Sequence, residues 1–254
     1  MRAVAFTLLV AALAGPTLAQ EVAEDWDLTT DPQQQLTLAS LDFGSNALAL
    51  RCKAGVLELL LTGTPVATSD SRSVEVTAGL IANEKQTWQT QAGLTVLSAS
   101  EPDRLARQIR AGGELDIRID GAAVGERPRR YRLPIPASAV SVDQVLVSCG
   151  RPLSDDWDGL PRSTEMLAWN DAPTPDFPEA AMQAGADVGA VVLGCIVAAG
   201  GDLDVCRILS ETPTGVGFGK EALKAARASQ VRLAPGNISD LGRFVQFTIR
   251  FRAE

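Results

Sequence analysis

The sequence predicts two domains: an all-β sandwich over 24–150 and an α+β unit over 173–254, joined by a linker over 151–172 and preceded by a leader over 1–19. Three observations predict this. Short apolar stretches separated by turn residues fill the region from Leu36 to Gly150. Prolines 152, 161, 173 and 175 then interrupt the chain, and from Asp187 the pattern becomes strand, strand, helix, strand.

The leader reads Met1, Arg2, an apolar run from Ala3 to Ala14, then Gly15-Pro16 and the small residues ending at Ala19, the order of a secretory signal peptide cleaved after Ala19. An uncleaved inner-membrane anchor is the alternative. A spanning helix needs about 20 apolar residues, and this run stops at a helix-breaking Gly-Pro pair. Export to the periplasm as a protein that is not inserted in the membrane is therefore expected.

Loss of the leader lowers Lys+Arg from 23 to 22 against 31 Asp+Glu, a net charge of about −9. That balance disfavours nucleic acid and anionic membranes as partners. The four cysteines form an even set, which in an oxidising compartment predicts two disulfides. The absence of histidine excludes Ser-His-Asp and Cys-His catalysis, and the cysteine spacings of 97, 46 and 11 contain no CxxC knuckle. No metal, cofactor or catalytic residue is expected. Asp155, Asp156 and Asp158 resemble a carboxylate cluster, but no nucleophile elbow, base or Gly-rich cradle accompanies them.

In the first domain, Leu48, Leu50 and Cys52 share one face and Val56 to Leu61 is a buried apolar run. Leu94 to Leu97, Leu115 to Ile119 and Tyr131 to Ile135 add strands, and Gly112-Gly113 and Asp120-Gly121 mark turns. Helical periodicity is confined to Glu101 to Ala111, and Val140 to Val147 leads up to Cys149. A Cys52–Cys149 bridge would staple the first and last parts of this domain. The Leu-Ala-Leu-Arg-Cys stretch at 48–52 and the closing Cys149 resemble periplasmic β-sandwich domains of the invasion-associated locus B type, a resemblance that brings no function with it. The linker contains the three aspartates and exposed-looking Trp157 and Trp169, side chains expected to pack on one of the domains.

In the second domain, Val188 to Ala199 and Leu203 to Leu209 flank Gly200-Gly201, a hairpin signal. Cys195 and Cys206 are equidistant from that turn and should face each other, at a separation a disulfide can bridge. A strict two-residue turn would make them a hydrogen-bonded pair, and a bulge in the loop would break the symmetry. Phe218 to Ser229 places Phe218, Ala222, Ala225 and Ser229 on one side, with Leu223 and Ala226 beside them, and Lys220, Lys224 and Arg227 outside, an amphipathic helix. After Pro235-Gly236, Phe244 to Phe251 is a closing strand with Val245, Phe247, Ile249 and Phe251 on one face and Gln246, Thr248 and Arg250 on the other. Pro178 suits the first turn of a short helix that precedes all of these.

Phe177-Pro178 with its short helix, Gly189, Gly201 in the turn, the helix from Phe218 and Pro235 before the last strand together resemble the TonB C-terminal domain family over about 173–254. The resemblance implies a three-stranded antiparallel sheet with helices on one face. It also implies a partner, the TonB box of an outer-membrane TonB-dependent receptor or an extended segment of another envelope protein, added as a strand to a sheet edge in the setting of transmembrane transport. The edge residues would be Phe244, Val245, Gln246, Phe247, Thr248, Ile249, Arg250 and Phe251. Such edges can also pair with each other, giving a homodimer. Unlike a TonB protein, this chain has a cleavable-looking leader and a β-domain in place of a Pro-rich spacer. The expected role is thus a periplasmic binding protein. A scaffolding protein without receptor contact, or an anchored energy transducer if the leader is retained, are the alternatives.

Overall fold

A computed structural model describes residues 25–121, 127–162, 167–232 and 242–253. The predicted leader, its cleavage site and the Pro235-Gly236 turn lie outside the described residues. The architecture is β-rich with antiparallel sheets, as expected. None of the described helices is long and apolar enough to cross a membrane.

The first part contains β1 (Asp27–Asp31), β2 (Leu36–Asp42), β3 (Ala47–Lys53), β4 (Val56–Thr62), β5 (Ser71–Ala78), β6 (Ile81–Gln89), β7 (Val96–Ser98), α1 (Pro102–Ile109), β8 (Gly113–Ile119), β9 (Arg129–Ile135) and α2 (Val140–Ser148). All nine strands join in one sheet of order β1-β2-β3-β4-β7-β6-β5-β8-β9. β7 is the narrow join between two groups of four, meeting β6 only through Gln89 and Ser98. Alternation along β3 buries Leu48, Leu50 and Cys52, and along β5 it buries Arg72, Val74, Val76 and Ala78.

The helix expected around Glu101 to Ala111 is α1, with Pro102 in its first turn. α2 was not expected. Its valines favour strands, and no side chain caps its start at Ala139, so nothing local announces a helix. Tertiary packing decides the matter, because Val142, Val145 and Leu146 are fully buried in the same core as Leu105, Ala106 and Ile109 of α1. A second helix therefore joins the expected one in completing this core. The Cys52–Cys149 disulfide links β3 to the end of α2, with a Cα separation of 5.5 Å.

The second part contains β10 (Trp169–Asp171), α3 (Glu179–Gln183), β11 (Val188–Val197), β12 (Leu203–Thr212), α4 (Phe218–Arg227), β13 (Gln230–Val231) and β14 (Phe244–Arg252). A three-stranded antiparallel sheet of order β12-β11-β14 buries Val191, Leu193, Cys195, Val197, Val245, Ile249 and Phe251 in one cluster with Phe218, Ala222 and Ala226 of α4. Its core is distinct from the first. Gly189 is required here, since a Cβ would lie 2.5 Å from the Phe218 ring. β10 pairs with β13, so 169–171 associates with this core instead of with the linker that the sequence outlined.

The Cys195–Cys206 disulfide forms as expected, at a Cα separation of 4.1 Å, but the hairpin reaches it differently. Val197 pairs with Leu203, leaving a five-residue turn, Ala198 to Asp202, which moves the register by one. Val205, at φ 41, then bulges out of β12 and restores it, so that Gly194 faces Arg207 and the cysteines meet. Val197 N–H donates to the Arg243 carbonyl, so the odd-numbered residues of β11 bond to β14. Cys195 and Cys206 are consequently a non-hydrogen-bonded pair, the arrangement in which side chains approach more closely.

Candidate functional site: the outer edge of the closing strand

β14 pairs with β11 over nine consecutive residues, from Val188 with Arg252 to Ile196 with Phe244, without a bulge. Ala253 N–H donates to the Asp187 carbonyl and Arg243 accepts from Val197, so the odd-numbered residues at both ends turn their backbone groups to β11. Gln246, Thr248, Arg250 and Arg252 therefore turn theirs outward, and all four side chains are exposed. Of the eight residues expected at this edge, Gln246, Thr248 and Arg250 present outward backbone groups. Val245, Phe247, Ile249 and Phe251 instead bond to β11 and point their side chains toward the α4 core, while Arg252 extends the edge by one residue.

Phe244 is a different case. Its N–H donates to the Pro161 carbonyl at 2.9 Å and Arg162 makes a parallel bridge to it, so this end of the edge is already capped by the connector. The Phe244 ring is buried, with the Arg162 guanidinium 3.8 Å above it and Trp157 packed edge-on at 5.6 Å. Gly194 makes room for this ring, because a Cβ there would sit 2.5 Å from it. Arg207 of β12 lies 3.6 Å over Trp157 and bonds Asp155 at 2.8 Å. Beyond Phe244, the strand borders a cleft of about 330 Å³ lined by Ser73, Glu84, Gln86, Glu101, Arg162 and Gln246.

The connector is a fastened segment. Asp158 accepts from Arg107 through both carboxylate oxygens at 2.7 Å, and Glu101 accepts from Arg162 at 3.1 Å. Trp157 and Trp169 both pack against the second part, the latter 5.1 Å from Phe247. Asp155 and Asp158 thus serve in ion pairs. Among the described residues no group of His, Cys, Asp or Glu could hold a metal ion. The sequence outlined the edge strand but missed its cap, since Arg162 and Trp157 acquire their roles only from Glu101 and Phe244, which lie far away along the chain.

Burial works against the Asp155 carboxylate, but the Trp157 N–H and Arg207 outweigh it and hold its pKa below the ordinary carboxylate value. A carboxyl group depressed on folding adds stability above its unfolded pKa, and that stability is lost as pH falls through the folded value. The Asp155–Arg207 contact is therefore expected to persist through the ordinary carboxylate range and to open only as pH falls through the lowered folded value. Hydrogen exchange should then quicken in β12 and the connector while β2 and β3 stay protected.

No known family model matches the chain, and no curated protein is similar to it.

Arg250 and Arg252 form no ion pair among the described residues, which leaves the open end of the edge positively charged in a chain of net charge −8. The opposite edge of the sheet is built otherwise. β12 carries two register shifts, and such bulges twist an edge away from further pairing.

Proposed function

We propose that this chain is a binding protein of the periplasm, similar to the TonB C-terminal family in its second part, that takes up an extended partner segment as a fourth strand on β14. The observation that carries this reading is the regular outer edge at Gln246, Thr248, Arg250 and Arg252, open where the rival edge is bulged. An added strand gains affinity from backbone hydrogen bonds and selectivity from alternate side chains. Arg250 and Arg252 favour a segment with carboxylates at that end, and the capped Phe244 sets where pairing must stop. The TonB box of an outer-membrane receptor is the partner proposed first, with transport as the setting, and an extended segment of another envelope protein is the next. Two disulfides suit an oxidising compartment of this kind.

Proline substitution tests the edge directly. Thr248→Pro removes an outward N–H and leaves the β11 ladder intact, whereas Phe247→Pro breaks the ladder. Titrating the full mature chain with a synthetic receptor-box peptide should perturb the amides of Gln246, Thr248, Arg250 and Arg252. Thr248→Pro should weaken binding about tenfold, the loss of one hydrogen bond, with little change in folding. Equal binding by Thr248→Pro would rule out this edge, and no binding by the wild type would leave the scaffolding role, which the ion-paired connector also suits.

A further inference from the structure

Three arginines are buried among the described residues, Arg72, Arg104 and Arg107. Arg104 bonds Glu84 and Glu101, and Arg107 bonds Asp158 and Asp103. Arg72 is only 7% exposed, yet among the described residues no carboxylate pairs with it, and its Nε is buried without a hydrogen-bond partner. An unpaired cation removed from water is costly, and the usual remedy is a partner anion.

Its position gives that anion a place. Arg72 lies on the core face of β5, in line with Val74 and Val76, and opposite the fully buried Trp88 of β6. On β9 the core face carries Tyr131, Leu133 and Ile135, and alternation puts Arg129 on it as well. The register runs from Val74 to Ile119 and from Ile119 to Arg129, so Arg72 and Arg129 end the same face two strands apart. Standard strand spacings separate their Cα atoms by about 12 Å, a gap that two arginine side chains can close around one anion. Tyr131 adds a hydroxyl beside them. Burial raises its pKa, and the positive charges of Arg129 and Arg72 act in the opposite sense, which places both within electrostatic reach of the phenol.

We infer that the core face of β5 and β9 ends in a binding site for a small oxyanion, a carboxylate or a phosphate group, held by Arg72 and Arg129 with the Tyr131 hydroxyl as a third donor. The site is separate from the β14 edge and stands or falls independently of it. Guanidinium groups suit this ligand class because their forked N–H donors match two oxygens of one anion.

The test is to titrate the mature full-length protein with inorganic phosphate and, separately, with acetate, against chloride at equal ionic strength. Arginine side-chain N–H resonances and the unfolding temperature are the readouts. Saturable shifts of the Arg72 signals and a rise in unfolding temperature are expected with at least one of the two oxyanions, and the stronger response assigns the ligand as phosphate or carboxylate. Arg72→Met should weaken binding at least about tenfold, and without anion its unfolding temperature should equal or exceed that of the wild type, because a buried cation with no partner among the described residues has gone. Arg129→Met, at an exposed position, should weaken binding in the same sense. Absence of a saturable response to both oxyanions, or wild-type affinity in either variant, would overturn the proposal.

Discussion

Asp158→Ala is expected to lower stability by about 3–5 kcal/mol, the cost of leaving a buried charge without its partner. Both side chains are almost fully enclosed, Arg107 at 5% and Asp158 at 9% exposure. The carboxylate takes two guanidinium bonds at 2.7 Å, and the Asp158 backbone carbonyl accepts a third from Arg104 Nε at 3.0 Å. Burial disfavours the charge on Arg107, but Asp158 and Asp103 outweigh it and keep its pKa above the ordinary arginine value. Among the described residues, removing Asp158 leaves Arg107 only Asp103, a partly exposed partner at 3.3 Å. The paired replacement Arg107→Met with Asp158→Leu should recover most of the loss, since an apolar pair of similar volume needs no counterion. Urea unfolding measures both. A loss below about 1 kcal/mol for Asp158→Ala would mean that water reaches Arg107 and that the connector is loosely held.

The second large effect concerns the longer disulfide. Cys52 and Cys149 are 97 residues apart, so the bridge restricts the unfolded chain over most of the first part. Chain-entropy arguments put a closed loop of this size at about 4–5 kcal/mol, against about 3 kcal/mol for a short loop of the Cys195–Cys206 kind. The double variant Cys52→Ala with Cys149→Ala should therefore lose more than Cys195→Ala with Cys206→Ala. Non-reducing urea melts of the two variants test the order. The reverse order would indicate that α2 and β3 stay associated in the denatured chain.

What was legible in the sequence was set by short-range pattern. Alternation along Phe244 to Phe251 gave the two faces of β14, the spacing of Phe218, Ala222 and Ala225 gave α4, and the cysteine positions gave both bridges. The five-residue turn and the Val205 bulge were not legible, because their effects on register cancel at the cysteines. Val140 to Ser148 was illegible for another reason. Its apolar residues satisfy strand and helix about equally, with Val140 and Val147 left exposed, and only contact with β2, β3 and α1 settles it as α2. The connector looked like a spacer because acids and prolines usually mark solvated loops. Its fastening depends on Arg107, 51 residues from Asp158, and on Glu101, 61 residues from Arg162, and no local pattern can announce such pairs. The want of a partner for Arg72 among the described residues is equally invisible, being defined by what does not approach it.

The unbroken β11–β14 ladder has a mechanical consequence. Tension drawn along β14 would load its nine residue pairs together, in shear, so the strand resists sliding far better than it would resist peeling from one end. At the Phe244 end the load would pass to Pro161 and Arg162, then through Glu101 to the first turn of α1. A strand seated on β14 would thus pull on a stiff handle whose far end is anchored in the N-terminal core.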